Sequence, residues 1–137
     1  MENADTQALG KLRHIALSVP DIQATASFYE RAFGLKRVRE SSVAVMLSDG
    51  VVSLAIIDSN RNPNTPDRKV GLHHFGFLID EMADAAALVE SSGAVYHGQI
   101  QGVGAGAETE RKYRDLNGVM FDIVNKTHAE TVWRIPV

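Results

Sequence analysis

Three side chains in this 137-residue sequence could together hold one metal ion: His14, His74 and Asp122. Two imidazoles and a carboxylate form a facial set suited to Fe(II), Mn(II), Ni(II) or Zn(II), with coordination positions left open for substrate. A metal held in this way polarises a bound oxygen or brings two reactants together. The chain has no cysteine, which excludes thiolate metal sites, disulfide scaffolds and cysteine nucleophiles. Its 14 basic and 17 acidic residues give a net charge of −3 without any block of Lys or Arg. The electrostatic footprint of a nucleic-acid binder is therefore missing.

What would bring these side chains together is a duplicated pattern. Residues 12–35 read LRHIALSVPDIQATASFYERAFGL, and residues 72–95 read LHHFGFLIDEMADAAALVESSGAV. Each copy opens with an apolar run bearing histidine, passes an Asp, continues with helical periodicity and stops at glycine. His14 and His74 lie 60 residues apart, and Gly34 and Gly93 lie 59 apart. In the first copy Asp21 suits a helix N-cap, with Ile22, Thr25, Phe28, Tyr29 and Ala32 on one stripe. In the second, Asp80 or Glu81 stands near the cap and Met82, Ala85, Ala86 and Val89 form the stripe. Shorter strand-like runs follow each helix: 36–40, 43–47 and 51–57 after the first, then 95–99, 111–114 and 119–125 after the second.

The expected fold class is α+β, with two βαβββ modules combining into a cupped mixed sheet. It forms a single domain over 1–137: module one about 11–60, linker 61–70, module two about 71–126, and tail 127–137. Strand alternation sends Leu12, His14, Ala16 and Ser18 to one face while Ile15, Leu17 and Val19 pack on the helix. Likewise Leu72, His74, Gly76 and Leu78 oppose Phe75, Phe77 and Ile79, with His73 on the helix side. Asp122 shares a face with Met120 and Val124, opposite Phe121 and Ile123. Parity alone thus delivers both imidazoles and the carboxylate to the concave face, provided that their strands are neighbours.

These segments resemble the vicinal oxygen chelate superfamily, the glyoxalase/bleomycin resistance/dioxygenase fold. The resemblance is carried by His14-Ile-Ala-Leu-Ser-Val-Pro-Asp21, Phe28-Tyr29, Phe33-Gly34-Leu35, His74-Phe-Gly-Phe-Leu-Ile-Asp80, and Arg114-Asp115-Leu-Asn-Gly118 followed by Phe121-Asp122, over about residues 11–126. It implies a metal cup built from four strand positions, which fall here on His14, Ala55, His74 and Asp122. Alanine cannot ligate, and Asp stands where Glu is usual. A three-ligand set implies a chemistry such as Fe(II) extradiol ring cleavage, the favoured activity, with Fe(II) the favoured cofactor and Mn, Ni or Zn as the other metals. Tyr113 and His97 would then be acid/base groups, and Arg111 and Arg114, beside Lys112, would hold an anionic substrate.

A glyoxalase I-like lyase or isomerase, a fosfomycin-type thiol transferase, and a metal-free drug-binding protein of the bleomycin-resistance kind remain as alternatives. The expected partners are a small-molecule substrate and a second copy in a homodimer, with no nucleic acid and no membrane. The polar start MENADTQALGK and the lack of a long apolar run make the chain cytoplasmic by expectation. His128 is expected on the surface, and Trp133 across a subunit boundary.

Overall fold

The computed structural model describes residues 8–61, 69–98 and 108–137. Residues 1–7, 62–68, where most of the expected linker falls, and 99–107 lie outside that description. Module one runs β1 (Gly10–Val19), α1 (Ile22–Phe33), β2 (Lys36–Glu40), β3 (Ala44–Ser48) and β4 (Ser53–Asp58). Module two repeats it as β5 (Gly71–Ile79), α2 (Met82–Ser91), β6 (Val95–Gly98), β7 (Glu110–Arg114) and β8 (Met120–Val124). A short helix, α3 (Lys126–His128), and a π-helical turn (Ala129–Trp133) close the chain. No helix among the described residues is long and apolar enough to cross a membrane.

Local chemistry sets the first helix. The Asp21 carboxylate accepts the Ala24 N–H at 3.0 Å, satisfying one of the free donors at the helix start. Gly34 ends the helix in the left-handed conformation, φ 69°, where it donates to the Glu30 carbonyl. The second helix starts at Glu81 without a side-chain cap, so its place depends more on packing. Ala86 and the half-buried Met82, Ala85 and Val89 hold it against Ile79, Tyr113 and Ile123.

All eight strands join one mixed sheet in the order β2-β3-β4-β1-β5-β8-β7-β6. The modules meet where β1 pairs antiparallel with β5, and within each module the first and last strands run parallel. Both helices cover one face. The core beneath α1 contains Val19, Ile22, Ala26, Val45, Leu47 and Ile56. On the opposite face the C-terminal segment lies mainly against module one, where Ala129, Trp133 and Ile135 pack with Ala16, Met46, Ala55 and Ile57, and the cluster extends to Leu78 and Val124 of module two.

Two bulges correct the simple alternation expected along β1 and β5. Leu12 pairs with Phe77 whereas His14 pairs with Gly76, so Arg13 is an extra residue. Ala16 pairs with His74 whereas Leu17 pairs with Leu72, which makes His73 the extra residue on the other strand. Each bulge shifts parity by one, so Leu12 and Leu72 go with the helix-facing set and are exposed rather than sharing the histidine face. The bulges themselves obey the duplication, standing one residue before each histidine.

Candidate metal centre

The parallel registers explain how the three donors meet. Across β5 and β8, Gly76 lies opposite Asp122, two residues beyond His74. Across β1 and β4, Ala16 lies opposite Ala55, two residues beyond His14. Ala55 is therefore the positional counterpart of Asp122, as the resemblance implied, and it adds no donor. Antiparallel β1–β5 pairing then sets the two histidines diagonally across the centre of the sheet. His14, His74 and Asp122 are all buried, and their donor atoms lie within 4.8 Å of one another. They form a buried His-His-Asp group compatible with a divalent metal, within one chain.

The surroundings fix each donor. His14 shares a hydrogen bond of 2.9 Å between Nδ1 and the Ser53 hydroxyl, which leaves Nε2 as its ligating nitrogen. Its ring lies flat on the indole of Trp133, centroids 4.4 Å apart and 6° from parallel. Gly76 makes room for that stack: a Cβ there would lie 3.0 Å from the indole and 3.1 Å from His14 Cβ. The Nδ1 atoms of His74 and His73 are hydrogen-bonded at 2.6 Å, so the bulged His73 orients its neighbour. His74 Nε2 stands 3.1 Å from Asp122 Oδ2. Two adjacent donors about 2.1 Å from an octahedral ion would be roughly 3 Å apart, so this pair has the right spacing.

Electrostatics favour the ligating protonation states of His14 and Asp122. Burial pushes the His14 imidazole down to about 3, which keeps it neutral, as metal binding requires. Burial by itself would push the Asp122 carboxyl up, but the facing His74 and the Lys112 ammonium outweigh it and hold the carboxyl well below its ordinary value. Lys112 Nζ donates to Asp122 Oδ1 at 2.6 Å and lies 3.6 Å from Glu110 Oε2. This lysine is buried, not part of a solvated charge cluster.

The other expected site residues divide by face. Tyr113 is fully buried on the helix side of β7, donating to Glu90 of α2 at 2.7 Å. Arg111 shares that side, bonded to Glu108 at 2.8 Å and lying over the Tyr96 ring at 6.0 Å. Neither reaches the histidines, because residues 111 and 113 alternate with Lys112 along the strand. Arg114 has the parity of Lys112 and donates to the Gly118 carbonyl at 2.9 Å. His97 is exposed, and its imidazole is pushed below its ordinary value by partial burial first and then by Arg114 and Lys112.

The tail also departs from expectation. His128 is buried, paired with the Thr109 hydroxyl at 3.3 Å. Trp133 packs on His14 of its own chain instead of crossing a subunit boundary. Tail length and composition gave no hint of either contact. Lys112 had a usable signal: in a hairpin centred on Asn117, residues 112 and 122 are equidistant from the turn and so face each other.

Comparison with known proteins places the fold. The family profile of the Glyoxalase/Bleomycin resistance protein/Dioxygenase superfamily matches residues 11–123. The hypothetical protein BH1468 from Bacillus halodurans C-125 has a similar structure, with TM-score 0.70 and 19% identity over 87% of this chain and 96% of that one. A variant of Streptomyces coelicolor methylmalonyl-CoA epimerase in complex with 2-nitronate-propionyl-CoA gives 0.64 and 23% over 86% and 98%. Methylmalonyl-CoA epimerase from Mycobacterium tuberculosis gives 0.67 and 15% over 88% and 91%. At these identities the likeness is one of fold. The sequence matches no curated protein.

Proposed function

Because the chain belongs to the glyoxalase/bleomycin resistance protein/dioxygenase superfamily, we propose that it is a divalent-metal enzyme acting on a small oxygen-rich molecule. The observation that carries this reading is the convergence of His14, His74 and Asp122 from three strands. Two imidazoles and one carboxylate suit Fe(II) best, with Mn, Ni or Zn as the other candidates. When bound, such an ion supplies a Lewis acid for a substrate oxygen. The chain's own part is to present neutral His14, oriented by Ser53, and His74, oriented by His73, beside an ionised Asp122.

Ala55 supplies no fourth donor, which supports open positions for two substrate oxygens or for one substrate and O2. Trp133 and Ile135 cover the module-one half of this face and reach Leu78 and Val124, so substrate approaches over the remaining part of module two. There Arg114 holds an anionic group, and His97 is the acid/base candidate in place of Tyr113. Ring-cleaving oxygenation of a catechol is the leading chemistry. Proton exchange next to a thioester carbonyl, in keeping with the name of the epimerase neighbours, is the alternative. The protein acts as a cytoplasmic homodimer in this reading, and dimer contacts would shield the edge strands β2 and β6.

Elemental analysis of protein purified without chelator, followed by oxygen-uptake assays with catechols and deuterium exchange into 2-substituted acyl-CoA esters, tests the proposal. About one equivalent of Fe, Mn, Ni or Zn, lost in His14→Ala and Asp122→Ala, is the expected result. One further reading has an observation behind it: Lys112 already sits on Asp122, as in a metal-free ligand-sequestering protein. Absence of retained metal, with ligand affinity unchanged in a His14→Ala, His74→Ala double variant, would select that reading.

A further inference from the structure

The centre contains a cation of its own. Lys112 Nζ donates to Asp122 Oδ1 at 2.6 Å, while Asp122 Oδ2 is turned to His74 Nε2 at 3.1 Å. The carboxylate is thereby split, one oxygen taken by the lysine and the other presented to the imidazole. The same Nζ lies 3.6 Å from Glu110 Oε2, and Lys112, Asp122 and Glu110 side chains are all 6% exposed or less. Two buried carboxylates thus flank one ammonium. A lone buried carboxylate would be strongly unfavourable, so the lysine lets the site keep its shape without a metal. The arrangement is specific to module two, because the positions matching Lys112 and Asp122 in module one are the paired Met46 and Ala55.

We infer that Lys112 is a positioning residue and an internal counter-cation for the metal centre, an assignment that rests on the metal reading above. It holds Asp122 so that Oδ2 alone faces the ion, and it opposes the ion's charge at close range. Metal binds against this ammonium, whose charge Glu110 offsets in part from 3.6 Å. Lys112 therefore sets how tightly the centre holds its ion, and removing its charge strengthens binding even though it removes a contact. A lysine that merely braced the fold would do the reverse.

The test compares full-length wild type with Lys112→Met, Lys112→Arg and Glu110→Gln. Zn(II) and Co(II) affinities are read by competition with a chromophoric chelator. Quenching of the single tryptophan by Co(II) reports binding locally, since Trp133 stacks on His14. Lys112→Met should bind at least about tenfold more tightly, because a like charge within a few ångströms of the ion has gone. Lys112→Arg should stay within about threefold of wild type, and Glu110→Gln should bind more weakly. Metal-free Lys112→Met should melt at a lower temperature and recover more on adding Zn(II) than wild type does.

Binding that Lys112→Met leaves unchanged or weakens overturns the counter-cation role while leaving the metal reading intact. If Lys112→Met does not fold, Glu110→Gln with wild-type affinity overturns it instead. Absence of binding in all four proteins overturns the metal reading and this inference with it.

Discussion

The two modules share a scaffold and differ in what they carry on it. Residues 11–19 and 71–79 have the same order of exposed, half-buried and buried positions, down to the bulges at Arg13 and His73. Both keep the histidine. Beyond it, module two sets Lys112 against Asp122, with Glu110 close by, where module one has the apolar Met46 and Ala55. Module one's half of the face is then sealed by Trp133 and Ile135, which also reach Leu78 and Val124, whereas β7 and β8 of module two carry the charges. A duplicated sheet thus becomes a one-sided site by changing two strand positions and folding a tail over the apolar half.

The sharpest break in that comparison is Asp122→Ala, which makes module two resemble module one at that position. The buried Lys112 loses its closest partner, so we expect a stability loss of about 3–5 kcal/mol in urea titrations, together with loss of metal binding. An unchanged midpoint would mean that Lys112 does not depend on Asp122. Next comes Trp133→Ala, which uncovers the module-one half; emptying the space over His14 should cost about 3–4 kcal/mol, read in the same titration. Phe33→Ala, at a 70% exposed position, serves as its control and should stay within about 0.5 kcal/mol of wild type.

Gly76 and Ala16 hold equivalent positions, and a Cβ added at Gly76 would meet the indole. Gly76→Ala should cost about 1–3 kcal/mol by displacing the Trp133–His14 stack, visible as a shifted tryptophan emission. Ala16→Gly should cost no more than about 1 kcal/mol.

Acid perturbs both halves without any mutation, and its effect accumulates gradually with pH. His14 is pushed down to about 3 and His128 to about 4, chiefly by burial, from ordinary values near 6.5. The unfolded chain then binds the extra protons, so the metal-free protein loses stability as pH falls below about 6.5. The decline ends near 4 for His128 and near 3 for His14. Each group contributes at most about 1.4 kcal/mol per pH unit. His128→Gln should flatten the upper part of that decline; a pH profile identical to wild type would show that His128 titrates normally in the folded protein.

Most of the architecture was legible in the sequence. The repeat, the caps at Asp21 and Gly34, and the strand runs at 36–40 and 111–114 all express short-range rules, and the structure has elements at those places. Parity correctly grouped His14, His74 and Asp122, because each bulge precedes its histidine and alternation is unbroken from the histidine onward, while β8 has no bulge. It misplaced Leu12 and Leu72, since an extra residue in one strand is defined only by the partner strand it fails to match. Tyr113, expected as an acid/base group, lies on the helix side bonded to Glu90, a placement that its alternation with Lys112 could have indicated.

Side-chain chemistry and strand periodicity belong to the sequence alone, for they depend on residues no more than a few positions apart, and the duplication is read by matching one segment against another. Only the tertiary structure decided that Trp133 covers His14 and that His128 is buried. Those contacts join segments separated by loops and by other strands. Their energies depend on which surfaces exclude water together, and no local pattern encodes that.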